Sequence, residues 1–581
     1  MLEAPRSAPR LQVAGQAAAE LTETRGPTGE LLRTVTVSRP SDQGWHVQVL
    51  WPAIAIRQGT VYELKMRLRA NRRETVVLSC GQDHEPWGSL GLWQQVPVGP
   101  DWREHVVYFT SSESDAPNAG GQGGGRISLT DLPKDGFQVS VAGASLRRAA
   151  VYGLPTDEAL GGAAWVLKRD WFRRTVPCRL DALRFMRDAE VTYYKDMVAY
   201  LHGELGVRMP VTGTAIGNTP PHVAAETVDF LDSHNYWQHP VFPGRPWDRN
   251  NWYVRNVPMV NDPAGSTITD LAGRRVFGLP FTVSEYNHPA PNDYRAEGFA
   301  LLAVYGAWQG WDGLLTYTYA HQDWESDQVT TFFDLKADPV RLAQQPACSH
   351  AFRGGGLGPA PRRAAAELSL QQRVQHMTEG RPWNFAPNAY LGGVDRLAWQ
   401  EAQLGIAVPG LGSPQRTNEA ADVQWQVGAD GRGFVSFRGR DCAGLVGFAA
   451  GRTLEAAALS LSPGPTSLDG FSVVTINAVE GQQLGAPGRY LITAVSRCEN
   501  RGMGWNAERT SVGTDWGEGP TLCEGVPLTL NLPAGRSARV YALAPDGSRR
   551  GEVEASAQDG AVGFQLGPRY RTLWYELVIG N

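Results

Sequence analysis

Residues 281–300, FTVSEYNHPAPNDYRAEGFA, hold an apolar strand that ends on a carboxylate, Glu285, and turns into a loop of Asn, His and Pro that includes His288. At the C-terminal end of a strand in a βα fold, the last side chains point into the mouth where such folds keep their sites. Glu285 there suits a nucleophile for a glycosidic carbon. The segment VDFLDSHNYWQHP, 228–240, brings His234, Tyr236, Trp237 and His239 to the same rim, and WDGLLTYTYAH, 311–321, brings Tyr317, Tyr319 and His321. His and Tyr donate hydrogen bonds to hydroxyls or to a nucleophile, and Trp offers a flat apolar face with one polar edge that suits a sugar ring. Trp308 is expected in the core, whereas Trp311 stands between core and site. His234 and His239, five apart, do not have the spacing of a helical zinc pair. No metal or other cofactor is expected.

Strands alternating with helices must position these groups. Leu183, Met186, Tyr193, Met197, Leu201 and Leu205 recur at helical spacing and stop at Gly206. Four strand candidates follow: 209–214, 228–235, 280–285 and 313–319. Helices are expected around 269–277 and 295–308, and Asp338-Pro339 reads as the N-cap and first position of another. Alternation of this kind implies parallel βα units.

The flanks read differently. From Leu31 to Tyr152 about seven short strands alternate with turns, and Gly120–Gly125 is a flexible loop tip, which predicts an antiparallel β-sandwich of jelly-roll type. Trp45, Trp51, Trp87 and Trp93 are its candidate sugar platform, with the loop 83–87 exposed. A Gly/Pro/Arg-rich linker at 353–363, a short helix at 364–374 and an all-β region from 394 complete the chain. The expected domains are 1–155, 156–352, 353–393 (linker and helix) and 394–581, the last a C-terminal β-sandwich region.

Composition narrows the function classes. Hydrophobic residues are 42% and charged residues 19%, enough for several cores. A net charge of −5 argues against nucleic acid as the main partner. No run approaches 18 apolar residues, so no membrane span is expected. Residues 1–20 hold arginines but no apolar stretch of a secretory signal. Six cysteines form no CxxC pair; Cys498 and Cys523 are open to bridging or to remaining as thiols.

TVSEYNHP, preceded by LDSHNYW and followed by WDGLLTYTY, resembles the C-terminal half of a clan A retaining glycoside hydrolase, a cellulase-like (β/α)8 barrel. GWHVQVLW, GTVYELKMRLRA and DWREHVVYFT resemble a jelly-roll carbohydrate-binding module. The first resemblance implies a partial (β/α)8 barrel, strands five to eight, with Glu285 as the strand-seven nucleophile of a double displacement on a β-linked glycan. His234, Tyr236, Trp237, His288, Trp311, Tyr317, Tyr319 and His321 would then bind substrate. It also implies an extracellular or periplasmic location. The sequence departs from the pattern in one respect: no Asn-Glu pair of the strand-four acid/base type precedes Glu285, and Asn418-Glu419 lies in the C-terminal region. Glu190, Glu204 and Glu226 read as helical surface. The expectation is therefore an acid/base on a front-half polypeptide, with association to that half or self-association as the partner call. The alternative is a catalytically inactive carbohydrate-binding protein.

Overall fold

The computed structural model describes residues 9–27, 29–118, 120, 122–132, 134–149, 171, 174–215, 225–321, 324–353, 356–379, 391, 393–412, 421–558 and 561–580. They divide into two compact units, 1–186 with 377–381, and 187–376 with 382–581. Asn418-Glu419 and the expected boundary near 155 lie outside the described residues.

In the first unit, alternation of apolar and polar residues builds ten strands. They are β1 (Arg10–Val13), β2 (Ala18–Arg25), β3 (Leu31–Arg39), β4 (Val47–Ile54), β5 (Val61–Ala70), β6 (Glu74–Gln82), β7 (Ser89–Val98), β8 (Arg103–Thr110), β9 (Gly125–Thr130) and β10 (Gln138–Arg148). Two five-stranded antiparallel sheets result, in the orders β1-β4-β9-β6-β7 and β2-β3-β10-β5-β8. Their inward residues, among them Val37, Val49, Trp51, Tyr62, Leu64, Leu78, Phe109 and Leu129, form one continuous apolar core, the arrangement of a β-sandwich. The expected strands are present, and β1, β2 and β7 add to them. Trp51 is 4% exposed and belongs to this core. The alternation along β4 turns it inward, so it is not part of a sugar platform.

In the second unit a parallel sheet lies beneath Glu285. Its strands are β11 (Leu231–Tyr236), β12 (Phe281–Asn287) and β13 (Gly313–Leu314), in that order. Thr212 adds a parallel bridge to Phe230 on the far side of β11. Of the four strand candidates, 228–235 and 280–285 are strands, 313–319 pairs only at Gly313–Leu314 and 209–214 contributes a single bridge at Thr212, all parallel and in chain order. Helix α1 (Val176–Ala199) precedes them, and α2 (Thr267–Ala272) and α3 (Glu297–Gln309) lie between strands. Ser266 caps α2 by accepting from Thr269 N, and Gly310, at φ +66, ends α3 in the left-handed conformation glycine tolerates. Asp338 caps α4 (Pro339–Leu342), with Pro339 in the first turn as expected; α5 (Gln345–Arg353) follows. The apolar stripe after residue 187 is only partly buried: Tyr193, Met197 and Leu205 are exposed.

Residues 362–407 depart from expectation. Arg362–Glu367 is a strand, β14, paired in parallel with β15 (Ala402–Ala407), where the linker and the start of a helix were predicted. The helix, α6 (Leu370–Glu379), starts after Ser369, whose hydroxyl accepts from Gln372 N at 3.3 Å while Gln372 Oε1 accepts from Ser369 N at 2.9 Å. This is a capping box. The alanines of 364–366 look helical by propensity, but pairing with β15 overrides it.

Residues 421–558 and 561–580 form an eight-stranded and a five-stranded sheet around a second core. In the eight-stranded sheet the order is Asp422–Val427, Gly433–Arg438, Cys442–Phe448, Phe471–Ala478, Gly488–Val495, Trp574–Ile579, Ala538–Leu543 and Arg549–Val553. This β region shares a unit with the parallel sheet. Trp574 Nε1 donates to Ala343 O and Trp425 Nε1 to Val260 O. No helix among the described residues is long and apolar enough to cross a membrane.

Candidate functional site

A register shift on β11 places the principal groups. Ser233 pairs with Val283, but the next residue, His234, pairs with Glu285 instead of Ser284. Such an irregularity re-aims a side chain. His234 Nε2 lies 2.7 Å from Ser284 Oγ, and the Ser284 hydroxyl donates to Asp232. A hydroxyl has one proton, so Nε2 donates to Ser284 and Nδ1 is the ring nitrogen that faces Glu285 Oε2, at 3.4 Å. Two positions on, Tyr236 donates to Glu285 Oε2 at 2.5 Å. Burial, with the carboxylate beside it, raises the Tyr236 phenol well above its ordinary value, so it stays a donor.

Across the sheet, Tyr317 N donates to Tyr286 O and the Tyr317 ring meets Tyr236 edge-on at 6.2 Å. Tyr317 Oη lies 3.2 Å from His321 Nε2, and His321 Nδ1 lies 2.5 Å from Asp334 Oδ1. Phe333 packs against Tyr236, His239 and Tyr317 at 5.1, 5.5 and 6.1 Å and forms the floor. Tyr319 stacks on the exposed Trp324 at 5.7 Å, and His239 meets the exposed Trp247.

The structure therefore brings Glu285, His234, Tyr236, Tyr317 and His321 together, with Tyr319 exposed two residues beyond Tyr317 on the same segment. Three expected members are elsewhere. His288 is fully buried; burial, with Arg341 nearby, lowers its imidazole to about 3, and its Nε2 pairs with Tyr286 Oη. Trp311 is buried against Phe281, at the opposite end of β12 from Glu285. Trp237 is buried, with its indole N–H on Val257 O. Each follows a strand or helix end closely in sequence, but the loops turn them into the core. Sequence reasoning missed Phe333, Asp334, Trp247 and Trp324, which arrive from loops without periodicity.

Around Glu285 the described hydrogen bonds and ion pairs supply Tyr236 and His234 and no second carboxylate. Glu190 accepts from Thr214, and Glu226 pairs with Arg373. Among the described residues no group of three or more His, Cys, Asp or Glu is placed to hold a metal ion. The cluster can bind hydroxyls and stack on rings, and it holds one oriented carboxylate.

The first unit offers a second candidate surface. Cross-strand partners share a face, so the pairings Trp93–Ser79–Ser128–Leu50 and Gln95–Val77–Thr130, with Gly81–Arg126 and Gln12–Gln48, define the outer face of one sheet. Trp93 on this face is 56% exposed. Trp87, 54% exposed, lies 5.1 Å from the Arg126 guanidinium, which Asp83 also holds. The Thr130 hydroxyl and the Gln48 amide donate to the carbonyls of Gly44 and Trp45, which anchors the 51%-exposed Trp45 at one end of the same face. The expectation of an exposed 83–87 loop holds at Trp87, its most exposed aromatic.

No family model matches the chain, and no curated protein matches it. Its structure neighbours are mainly carbohydrate-binding modules. A CBM4 structure is 18% identical, with TM-score 0.21, over 25% of this chain and 90% of that one. The N-terminal cellulose-binding domain of β-1,4-glucanase C from Cellulomonas fimi is 25% identical, with TM-score 0.19, over 23% and 90%. The family 11 module of a cellulosomal cellulase from Clostridium thermocellum is 11% identical, with TM-score 0.20, over 26% and 94%.

Proposed function

We propose that the protein binds carbohydrate, and that it does so on the outer face of the first unit's β1-β4-β9-β6-β7 sheet. The observation that carries this reading is the placement of three half-exposed tryptophans, Trp45, Trp87 and Trp93, around a face on which Gln95 is exposed and Ser79 partly so, whereas Gln48, Leu50, Val77, Ser128 and Thr130 are buried. Indole faces stack on the apolar faces of pyranose rings, and amides and hydroxyls bond to the equatorial hydroxyls. Exposed aromatics grouped on one face are a recognition feature rather than packing. Affinity gel electrophoresis of the whole protein in a panel of soluble polysaccharides tests it. Retardation by at least one glycan, lost on Trp93→Ala, supports the reading; no retardation in any gel refutes it.

A second reading is favoured by the Tyr236–Glu285 pair. Glu285 is the nucleophile of a retaining glycosidase, and the four parallel segments are the back half of a (β/α)8 barrel. A hydrogen-bonded carboxylate at a parallel strand end, beside His234 and an aromatic rim, is what displacement at an anomeric carbon needs. The acid/base, about 5–5.5 Å from the nucleophile in retaining enzymes, then comes from a second polypeptide segment. The exposed Tyr193, Met197, Tyr200, Leu205 and Met209 support association with such a segment or with a second copy. Labelling with a 2-deoxy-2-fluoro glycosyl donor separates the two readings: a covalent adduct on Glu285 supports catalysis, and no adduct leaves binding alone.

A further inference from the structure

Cys498 and Cys523 face each other across the two-stranded sheet of Cys498–Arg501 and Glu518–Cys523. Glu524 N donates to Arg497 O, so the neighbouring 497/524 pair is the hydrogen-bonded one and 498/523 is not. Residues in a non-hydrogen-bonded antiparallel pair sit about 4.5 Å apart at Cα with their side chains close. Bridged cysteines span about 4.4–6.8 Å at Cα, so no backbone movement is needed to join them.

The surroundings differ for the two sulfurs. Cys498 is buried, and its Sγ lies 2.9 Å from Arg295 Nη2, which also donates to the Cys498 carbonyl at 2.8 Å. Cys523 is half-buried and lines two cavities, of about 620 and about 530 Å³, the first walled by Leu342, Leu522, Leu573 and Trp574. Cys498 also lines the second cavity but is buried, so Cys523 is the more accessible thiol, and Cys498 sits beside it next to a guanidinium. Both are thiols here.

We propose that Cys498 and Cys523 are an oxidation site, converted to a cross-strand disulfide by a low-molecular-weight disulfide. The Cys523 thiolate attacks one sulfur of the oxidant, RSSR; the S–S bond breaks, and one RS⁻ leaves and takes up the proton Cys523 lost. Cys498 then gives up its proton and attacks the Cys523 sulfur of the mixed disulfide, expelling the second RS⁻, which is protonated in turn. Two cysteine thiols are oxidised and RSSR is reduced to two RSH. Burial, with the Asp338 carboxylate 3.5 Å from the sulfur, raises the Cys498 thiol well above its ordinary value and Arg295 offsets only part of this, so the second step is the slower one.

The bond closes the segment 499–522. This segment holds Arg509, which grips Asp293 through two nitrogens at 2.9 and 3.0 Å, in the loop that follows the Glu285 strand. Oxidation therefore ties the support of that loop covalently to its own sheet.

The test uses the whole protein incubated with excess oxidised glutathione, then alkylated, digested without reduction and analysed by mass spectrometry. The expected result is a Cys498–Cys523 cross-linked peptide, with Tm raised by about 5 °C and restored by dithiothreitol. Cys523→Ser abolishes the cross-link, whereas Cys498→Ser accumulates glutathione on Cys523. If both cysteines of the wild type are still alkylated after oxidation, or if either is bridged to another cysteine, the proposal is overturned.

Discussion

The phenolic oxygen of Tyr236 lies 2.5 Å from Oε2 of Glu285, on a strand whose register shift also sets His234 opposite the same carboxylate. Two residues of one strand thus face the same carboxylate oxygen on its parallel neighbour, and the Phe333 ring packs against Tyr236 beside them.

On the catalytic reading proposed above, turnover of activated aryl glycosides runs through that carboxylate. Glu285→Gln is expected to remove it by roughly 10⁴-fold or more. Tyr236→Phe, which deletes one donor to the carboxylate, is expected to cost roughly 10²-fold. Glu285 is partly exposed, so the Gln variant should melt within about 0.5 kcal/mol of the parent. Steady-state assays with a dinitrophenyl glycoside, beside thermal melts, check all three; undiminished turnover in Glu285→Gln removes the nucleophile role.

The tryptophans of the first unit separate by burial. Trp51→Ala is expected to destabilise by about 3–5 kcal/mol, because it empties a core site. Trp87→Ala is expected to leave stability within about 0.5 kcal/mol and to weaken glycan binding. Urea titrations followed by fluorescence distinguish them; equal losses from both would contradict the assigned faces.

Asp338 governs part of the acid stability. It is fully buried, and burial alone would raise its carboxyl, but Arg295 and Arg341 outweigh that and hold it at about 2 against an ordinary 3.8. The folded state therefore binds its proton less readily than the unfolded chain does. The ion pairs contribute fully above pH 4, about 2 kcal/mol, and this is lost as pH falls from about 4 to 2. Asp338→Asn leaves two buried guanidinium groups facing a neutral amide and is expected to cost about 3–5 kcal/mol at neutral pH. Its unfolding free energy should also vary less with pH between 4 and 2 than that of the parent, which equilibrium denaturation at stepped pH measures.

The exposed apolar side chains at 193–209 predict association. Light scattering of the purified protein should show species larger than 63.3 kDa, and Leu205→Glu with Met209→Glu should reduce them. A monodisperse monomer at micromolar concentration would show that this surface needs no cover.

Much of this arrangement was legible in the sequence because it rests on local periodicity. The alternating runs of the first unit became the sandwich, and the apolar run before Glu285 became β12, with its neighbours in chain order. Asp338-Pro339 announced its helix through side-chain chemistry alone. What escaped depends on long-range pairing or on loop direction. Residues 362–363 read as linker and 364–367 as the start of a helix until β15 pairs with them, although Ser369 and Gln372 carried the capping signal for the true start. His288 and Trp311 have the right residue types for a rim, but their loops lead inward. Phe333 and Asp334 reach the cluster from a loop where no pattern marks them.

The central claim, that the outer face of the first unit binds glycan, is tested most directly by isothermal titration of the whole protein and of Trp93→Ala with an oligosaccharide drawn from whichever polysaccharide retards it. The account predicts saturable binding by the parent, weakened at least tenfold in Trp93→Ala, with both proteins melting at the same temperature. Unchanged affinity in Trp93→Ala and in Trp87→Ala would contradict it.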